Sequence, residues 1–406
     1  MRQRVVITGT GYTTSLGCTP ESIEHTVRHD TPAFAASTHL DGCMECPVVG
    51  FDLTTTTGRW KHKKYLPRGA QFALASALRA VDDSRIPQNL LEDAGLFIGT
   101  GPNFDMGSDF PNITDGNMDT QSLAALWMLR YLPNTAASAI SQFLHIHGEN
   151  ATIGTACSAS TQAIGEAYRK IKDGYLTTAL AGGGDSRISH GGLLAYKKAQ
   201  ALWDKGGNPQ NACRPFNNDR SGFVVGEGGG MFVLESLEQA EDRGATILAE
   251  VLGFGVTMDA HTMTAPHPDA LYAEKAVRTA LAEADMPPDA INLISAHGTS
   301  THLNDQAEAD MLARVFYTKD ATATPLTVAI KSWVGHCTAA SGAVELSVLL
   351  ALRQRGILPP VRNLRNPCSQ HVQFVQNRMP CSGQFLLLES FGFGGQNSAL
   401  VLKFCC

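Results

Sequence analysis

The chain has 406 residues, 43% apolar and 17% charged, with 32 Lys and Arg against 38 Asp and Glu for a net charge of −6. That composition excludes a disordered chain, and the acidic balance gives no support to a nucleic-acid binder. No apolar run approaches the roughly 20 residues that span a bilayer, and Val5-Val6-Ile7 is too short for a secretory segment, so a cytoplasmic protein with no membrane contact is expected.

Short apolar runs alternate with longer amphipathic ones. In chain order the pattern predicts a strand at 5–8, a helix at 66–83, a strand at 96–99 and a helix at 121–144. A strand at 151–154, a helix at 158–173 and strands at 178–181 and 230–235 follow. A joint near 237–246 precedes a second series. It comprises a strand at 248–253, a helix at 270–284, a strand at 293–296, a helix at 306–316, a strand at 326–330, a helix at 339–355, and strands at 385–388 and 399–404. In the 270–284 segment Leu271, Ala276, Val277, Ala280, Leu281 and Ala284 gather on one helical face. Such alternation predicts an α/β fold with sheets covered by helices, and each half, 1–245 and 246–406, begins its own strand series. The Gly-, Pro-, Asn- and Asp-rich stretches 30–59, 102–119 and 205–220 read as long loops.

Four segments carry chemistry. Cys157 stands between a strand and a helix, where free backbone N–H groups and the helix dipole favour a thiolate and can hold an oxyanion. A buried structural cysteine is the plainer alternative. His297 ends a strand and is followed by Gly298, Thr299, Ser300 and Thr301. It faces a ligand crevice or serves as a satisfied core residue. Lys331 precedes Gly335-His336 and a helix opening with small residues, with Glu345 as the nearest carboxylate partner; the alternative is a surface lysine beside a capping turn. Ser390-Phe391-Gly392-Phe393-Gly394-Gly395 is a hairpin turn whose glycines permit close backbone approach. Strand ends converge in open α/β sheets, so one thiol, two imidazoles and one ammonium fall together, which suits acyl-thioester chemistry without a metal.

In this order, Thr155-Ala156-Cys157-Ser158, His297-Gly298-Thr299-Ser300-Thr301, Lys331-Ser332 with Gly335-His336, and Ser390 to Gly395 resemble the β-ketoacyl-acyl carrier protein synthases. The likeness is to the elongating Cys-His-His kind and runs over almost the whole chain, through Asn218-Asp219-Arg220-Ser221-Gly222-Phe223. It implies a thiolase-like fold of two similar halves stacked in five layers (αβαβα), usually dimeric. It also implies that Cys157 takes the acyl chain and that His297 and His336 bind the malonyl thioester carbonyl during decarboxylation. Lys331 with Glu345 would organise the site. The backbone of Cys157 and Phe393 would form an oxyanion hole. Thr299 and Thr301 would hold the phosphopantetheine arm of acyl carrier protein, Phe393 would gate the site, and Phe223 and Phe391 would line it. No cofactor of the enzyme's own is implied.

After Thr301 the run His302-Leu303-Asn304-Asp305 lacks the Pro and Gly usual in fatty-acid enzymes, and Gln396-Asn397 replaces the commoner Thr-Asn. Both lean towards type II polyketide or polyene ketosynthases, which pair with a chain-length factor, so a homodimer and such a heterodimer both stay open. Cys157 disfavours a non-catalytic chain-length subunit. A degradative thiolase would carry a second cysteine in the last Gly-rich loop, and 391–397 has none. Gly9, Gly11 and Gly182 to Gly184 complete no dinucleotide fingerprint. Cys43 and Cys46 form a lone C-x-x-C, read as loop thiols ahead of a metal site, and Cys405-Cys406 is no prenylation signal. The segment 58–68 is a basic island; Lys63, Lys64 and Arg68 either dock an acidic carrier protein or form a solvated charged stretch.

Overall fold

Strands buried on both faces need helices on both sides, and the strands of this chain are of that kind. The computed structural model describes residues 2–105, 123–318 and 321–405. The first half contributes β1 (Val5–Thr13), β2 (Gly95–Gly99), β3 (Asn150–Ile153), β4 (Thr178–Ser186) and β5 (Val225–Ser236). The second contributes β6 (Ala249–Met258), β7 (Leu293–Ser295), β8 (Leu326–Val328), β9 (Phe385–Gly392) and β10 (Gln396–Phe404).

The strands run β3-β2-β4-β5-β1 and then β6-β10-β9-β7-β8. Each half therefore has its third strand outermost, followed by its second, fourth, fifth and first. The pairs made by the second strand are parallel and the other two antiparallel, in both halves alike. The duplication that side-chain identity leaves unreadable is written in the backbone pairing. The two halves also share one hydrogen-bonded seam, where Val5, Val6 and Ile7 pair with Val251, Glu250 and Ala249.

Alternation along the strands sorts the layers. Ala179 and Ala181 of β4, Leu386 and Leu388 of β9, and Leu400 and Leu402 of β10 face a central core. That core is filled by α2 (Ala159–Lys172) and α5 (Ser341–Gln354). From Ser341 to Leu352 every residue of α5 is buried, as a helix enclosed on all sides requires. Leu180 points the other way, onto α1 (Arg68–Ser84). Leu387, Ala399 and Val401 point onto α3 (Leu271–Glu283) and α4 (His302–Phe316). The result is five layers, helix-sheet-helix-sheet-helix. Among the described residues no helix is long and apolar enough to cross a membrane.

Several expected elements differ in detail. The helix expected at 121–144 begins outside the described residues. Its described part is a 3₁₀ turn, Trp127–Arg130, and a helix, Thr135–Leu144, on either side of Pro133, whose ring disfavours helical backbone before it. Most of the loop expected at 102–119 also lies outside the described residues, as does Cys406. The loop expected at 30–59 contains two short paired strands, Ala35–Ala36 and Met44–Cys46. The joint near 237–246 is a helix, Leu237–Asp242, capped by the Ser236 side chain. The strand expected at 326–330 stops at Val328, and Lys331 opens a helical turn, Lys331–Val334.

Layers this close leave no room for extra atoms at some glycines. A Cβ on Gly255 of β6 would stand 1.9 Å from the Ala276 carbonyl oxygen of α3, backbone that has nowhere to go. Gly255→Ala should cost about 3 kcal/mol in a denaturant-unfolding experiment. Gly154→Ala, with nothing among the described residues within 4 Å of its added carbon, should stay within about 0.5 kcal/mol of the parent.

Candidate active site

The parallel strands of both halves end at one edge, and the candidate residues follow those ends. After β3 the chain turns through Ala156 in a left-handed conformation (φ 48°) and presents Cys157 in a 3₁₀ turn, Ala156–Ser158, leading into α2. A non-glycine residue held there stores strain, a feature concentrated at functional turns. The second half repeats the turn at Thr338 (φ 48°), in Thr338–Ala340 leading into α5. Ala339 thus occupies in the second half the place that Cys157 holds in the first.

Cys157 is 8% exposed, and burial pushes its thiol up to about 11. Lys331 and the backbone N–H of Phe393 pull the other way without prevailing. The helix terminus is expected to favour a thiolate; removal from water acts in the opposite direction and outweighs Lys331, Arg187 and the Phe393 N–H. Phe393 comes so near because Gly392 has no side chain. A Cβ there would stand 2.9 Å from the Thr155 carbonyl and 3.2 Å from the Cys157 nitrogen.

His297 follows β7, and its loop is held from below. Glu308 on α4 accepts the backbone N–H of His297 (2.6 Å) and of Gly298 (2.8 Å), while Asp305 accepts those of Ser300 and Phe216. Lys331, 1% exposed, donates to Glu345 Oε1 (2.6 Å) and to the His297 carbonyl (2.5 Å), and its Nζ lies 3.2 Å from His297 Nδ1. An ammonium has only donors, so Nδ1 accepts and the proton of the neutral ring sits on Nε2. His336 reaches the same state by another route, because the Thr338 backbone N–H donates to its Nδ1 (3.2 Å), with Ser341 Oγ at 2.9 Å. Both imidazoles are held well below the ordinary range by burial and by Lys331. They are neutral at pH 7, each with an Nε2–H to offer. Their rings stand 5.6 Å apart at 84°.

These groups share one cavity of ≈ 380 Å³, whose walls include Cys157, His297, His336, Thr299, Thr301 and the three phenylalanines Phe223, Phe391 and Phe393. Volume does not single it out, since a cleft of ≈ 490 Å³ lined by Asn211, Arg214 and Arg365 holds none of them. Thr299 and Thr301 join hydroxyls at 2.9 Å on one wall. Phe223 lies edge-on to His336 (4.9 Å), Phe391 is 5.7 Å from His297, and Phe393 is partly exposed at the mouth.

The basic island stands apart from this cavity. Lys63 pairs with Asp52 (2.5 Å), and the Lys64 ammonium sits over the Tyr65 ring. Arg68 is bound to the buried Glu227 and to the Val48 carbonyl, so its charge answers a structural need. Cys43 and Cys46 are buried free thiols. Among the described residues no group of three or more His, Cys, Asp or Glu is arranged to hold a metal. Sequence reasoning missed Asp305, Glu308, Ser341 and the pair Asp185–Arg187. Asp305 and Glu308 had a readable signal, two acids three residues apart just after the hydroxyl-rich turn 298–301.

Comparison with known proteins gives a consistent answer. The model of the beta-ketoacyl synthase N-terminal domain matches residues 2–240 and that of the C-terminal domain residues 248–365. The 3-oxoacyl-[acyl-carrier-protein] synthase 2 of Synechocystis sp. is 31% identical, over 99% of this chain and 98% of its own. That of Vibrio cholerae is 32% identical, over 99% of each. A beta-ketoacyl synthase from Burkholderia phymatum superposes with a TM-score of 0.89 at 28% identity. The ishigamide ketosynthase/chain length factor gives 0.89 at 30%; both cover 100% of each chain.

A thiol raised to about 11 has a thiolate fraction that grows about tenfold per pH unit up to that value. Alkylation of Cys157 by iodoacetamide should accelerate accordingly from pH 7 to 10 without a plateau. The buried histidines, neutral throughout, should add no inflection between pH 6 and 8. A plateau near pH 7 in the rate of mass increase at Cys157 would contradict the burial argument.

Proposed function

The chain belongs to the beta-ketoacyl synthase family and is a ketosynthase, an acyltransferase of the 3-oxoacyl-[acyl-carrier-protein] synthase kind, and we propose that Cys157 is the residue that carries the growing acyl chain. The observation supporting this most strongly is that the thiol and two neutral imidazole donors share one cavity.

In the first half-reaction the Cys157 sulfur attacks the thioester carbonyl of an acyl-carrier protein. The carbonyl oxygen takes the charge, between the backbone N–H groups of Cys157 and Phe393. The carrier's thiolate leaves and takes up the proton the thiol gives up. Losing one such oxyanion donor typically costs about 10²–10³ in rate. In the second half-reaction malonyl-carrier protein places its thioester carbonyl at the Nε2–H groups of His297 and His336. Loss of CO₂ leaves an enolate whose oxygen charge these donors hold, and its carbon attacks the acyl-Cys157 carbonyl. The carbon–sulfur bond breaks, Cys157 leaves as thiolate and regains a proton from water, and a β-ketoacyl thioester departs. Neutral imidazoles suit this step because they stabilise an enolate without protonating it. Lys331 and Glu345 keep His297 in the donor tautomer, and Thr299 and Thr301 hold the phosphopantetheine arm. The substrates bring that arm with them and the enzyme uses no cofactor of its own.

The working unit in this reading is a dimer, of two copies or with a chain-length factor, acting in the cytoplasm; the division between halves falls at 245/246. An outermost strand supports the dimer: β3 pairs only with β2 among the described strands and is partly exposed. The carrier protein, acidic by type, meets the island of Lys63 and Lys64, with Arg68 as its rim.

Cys157→Ala should show no acyl-enzyme in intact-protein mass spectrometry after incubation with acyl-carrier protein; a retained adduct would remove the assignment. Cys157→Gln should still release CO₂ from malonyl-carrier protein while forming no β-ketoacyl product, and continued chain extension would refute the two-stage scheme. Charge reversal at Lys63 and Lys64 together should raise KM for carrier protein about tenfold at low salt, the effect fading as salt rises. An unchanged KM would place docking elsewhere.

A further inference from the structure

The parallel strands β2, β3 and β4 lie side by side, so their ends bring Thr100 and Gly101, the Cys157 turn, and Asp185 with Arg187 to one edge. Arg187 is 3% exposed. Its Nη2 donates to Asp185 Oδ2 at 3.0 Å, while Nε and Nη1 have no hydrogen-bond partner among the described residues. A buried guanidinium with two idle donors is costly and asks for an acceptor. Asp185 has little left to give, because Oδ2 also accepts from the Thr338 hydroxyl and the Ala339 N–H, and Oδ1 from the Ser186 N–H. The Tyr196 hydroxyl neighbours the guanidinium, but the pair misses hydrogen-bond geometry with the idle donors.

Aromatic rings link those donors to the walls of the cavity that holds the nucleophile. Tyr196 stands 6.4 Å from Phe393 and 5.3 Å from Phe223, ring to ring, and both phenylalanines line the Cys157 cavity. Asp185 and Arg187 are among the charges felt by the Cys157 sulfur. Arg187 itself is absent from the walls of that cavity, whose Thr299, Thr301, His302 and Leu303 flank the arm's approach. An acyl group on Cys157 turned away from that approach would run towards the loops of the first half. There Phe104 has its ring 4.9 Å from the guanidinium, and a Cβ on Gly101 would fall 1.9 Å from Nη2.

We propose that Arg187 determines substrate choice by donating hydrogen bonds to a neutral oxygen, keto or hydroxyl, on the acyl chain carried by Cys157. Asp185 already balances the guanidinium's charge, so the unmet need is for an acceptor and not for an anion. The ring faces of Phe104 and Tyr196 accommodate the carbon skeleton around that oxygen. A site built to bond an oxygen discriminates strongly against the chain that lacks it, because its donors stay unpaired. This assignment rests on the ketosynthase reading of Cys157.

The test measures kcat/KM for acylation of Cys157, by intact-protein mass spectrometry, with pantetheine thioesters of six to eight carbons. Saturated chains are compared with keto and hydroxy chains of equal length. The parent protein should favour at least one oxygenated chain by about tenfold or more, the scale of one hydrogen bond to a charged donor. Arg187→Lys keeps a cation opposite Asp185 but loses the fork. It should leave the saturated chain's value nearly unchanged and remove most of the preference. No preference in the parent for any oxygenated chain would overturn the proposal, with no need of a variant. An equal fall for both chain types in Arg187→Lys would also overturn it, marking a structural residue. Acylation by saturated chains without preference would leave the ketosynthase reading standing; no acylation by any thioester would overturn both.

Discussion

The site depends on one buried ammonium. Lys331 has three protons to donate and spends them on Glu345, on the His297 carbonyl and towards His297 Nδ1. The second contact fixes the backbone that carries the imidazole, and the third fixes where the imidazole keeps its own proton. Burial pushes Glu345 up to about 7 against the pull of Lys331. Breaking a buried pair of this kind by removing one partner typically costs about 3–5 kcal/mol. The same charge helps keep both histidines neutral. A positive group that no substrate need touch therefore sets the donor character of the rings that face the cavity.

The duplicated fold explains how such a set is assembled. Each half offers the same left-handed turn at the start of a central helix, at Ala156 in one and Thr338 in the other. The two helices pack between the sheets, so the turns face one another across the middle of the molecule. One carries the thiol at Cys157. Its counterpart carries Ala339, and the nearby His336 is tied back to the Thr338 N–H and Ser341. Asp185 crosses between the halves by accepting from Thr338 and Ala339. In the proposed scheme the two copies of one architectural unit take different roles, nucleophile in one and charge stabilisation in the other.

Candidate residues placed just past a strand were legible in the sequence. Cys157 and His297 each follow an apolar run and precede small residues, whereas His336 follows the helical turn Lys331–Val334 in place of the strand end expected. Residues whose work is done through a distant backbone were not. Glu308 acts on His297 from the second turn of the following helix, and Arg68 answers Glu227 from 159 positions away. A basic run shows in the sequence as surface charge, whereas the buried partner Arg68 also holds, Glu227, appears only in the fold. The strand order was hidden for a related reason. Pairing is a matter of register between segments far apart, and neither composition nor period carries it.

A thiol that rests protonated exchanges thiolate population for nucleophilicity. Thiolate nucleophilicity rises with the pKa of the parent thiol, but less steeply than the thiolate fraction falls. A sulfur raised to about 11 by burial therefore depends on losing its proton as the acyl carbonyl arrives. In the proposed second step the thioester of Cys157 is neutral when the enolate appears. The neutral histidines, the Lys331 charge met by Glu345, and the high thiol pKa are consequences of one condition. The groups are buried so deeply that each charge must either be paired in advance or be created only where donors already wait.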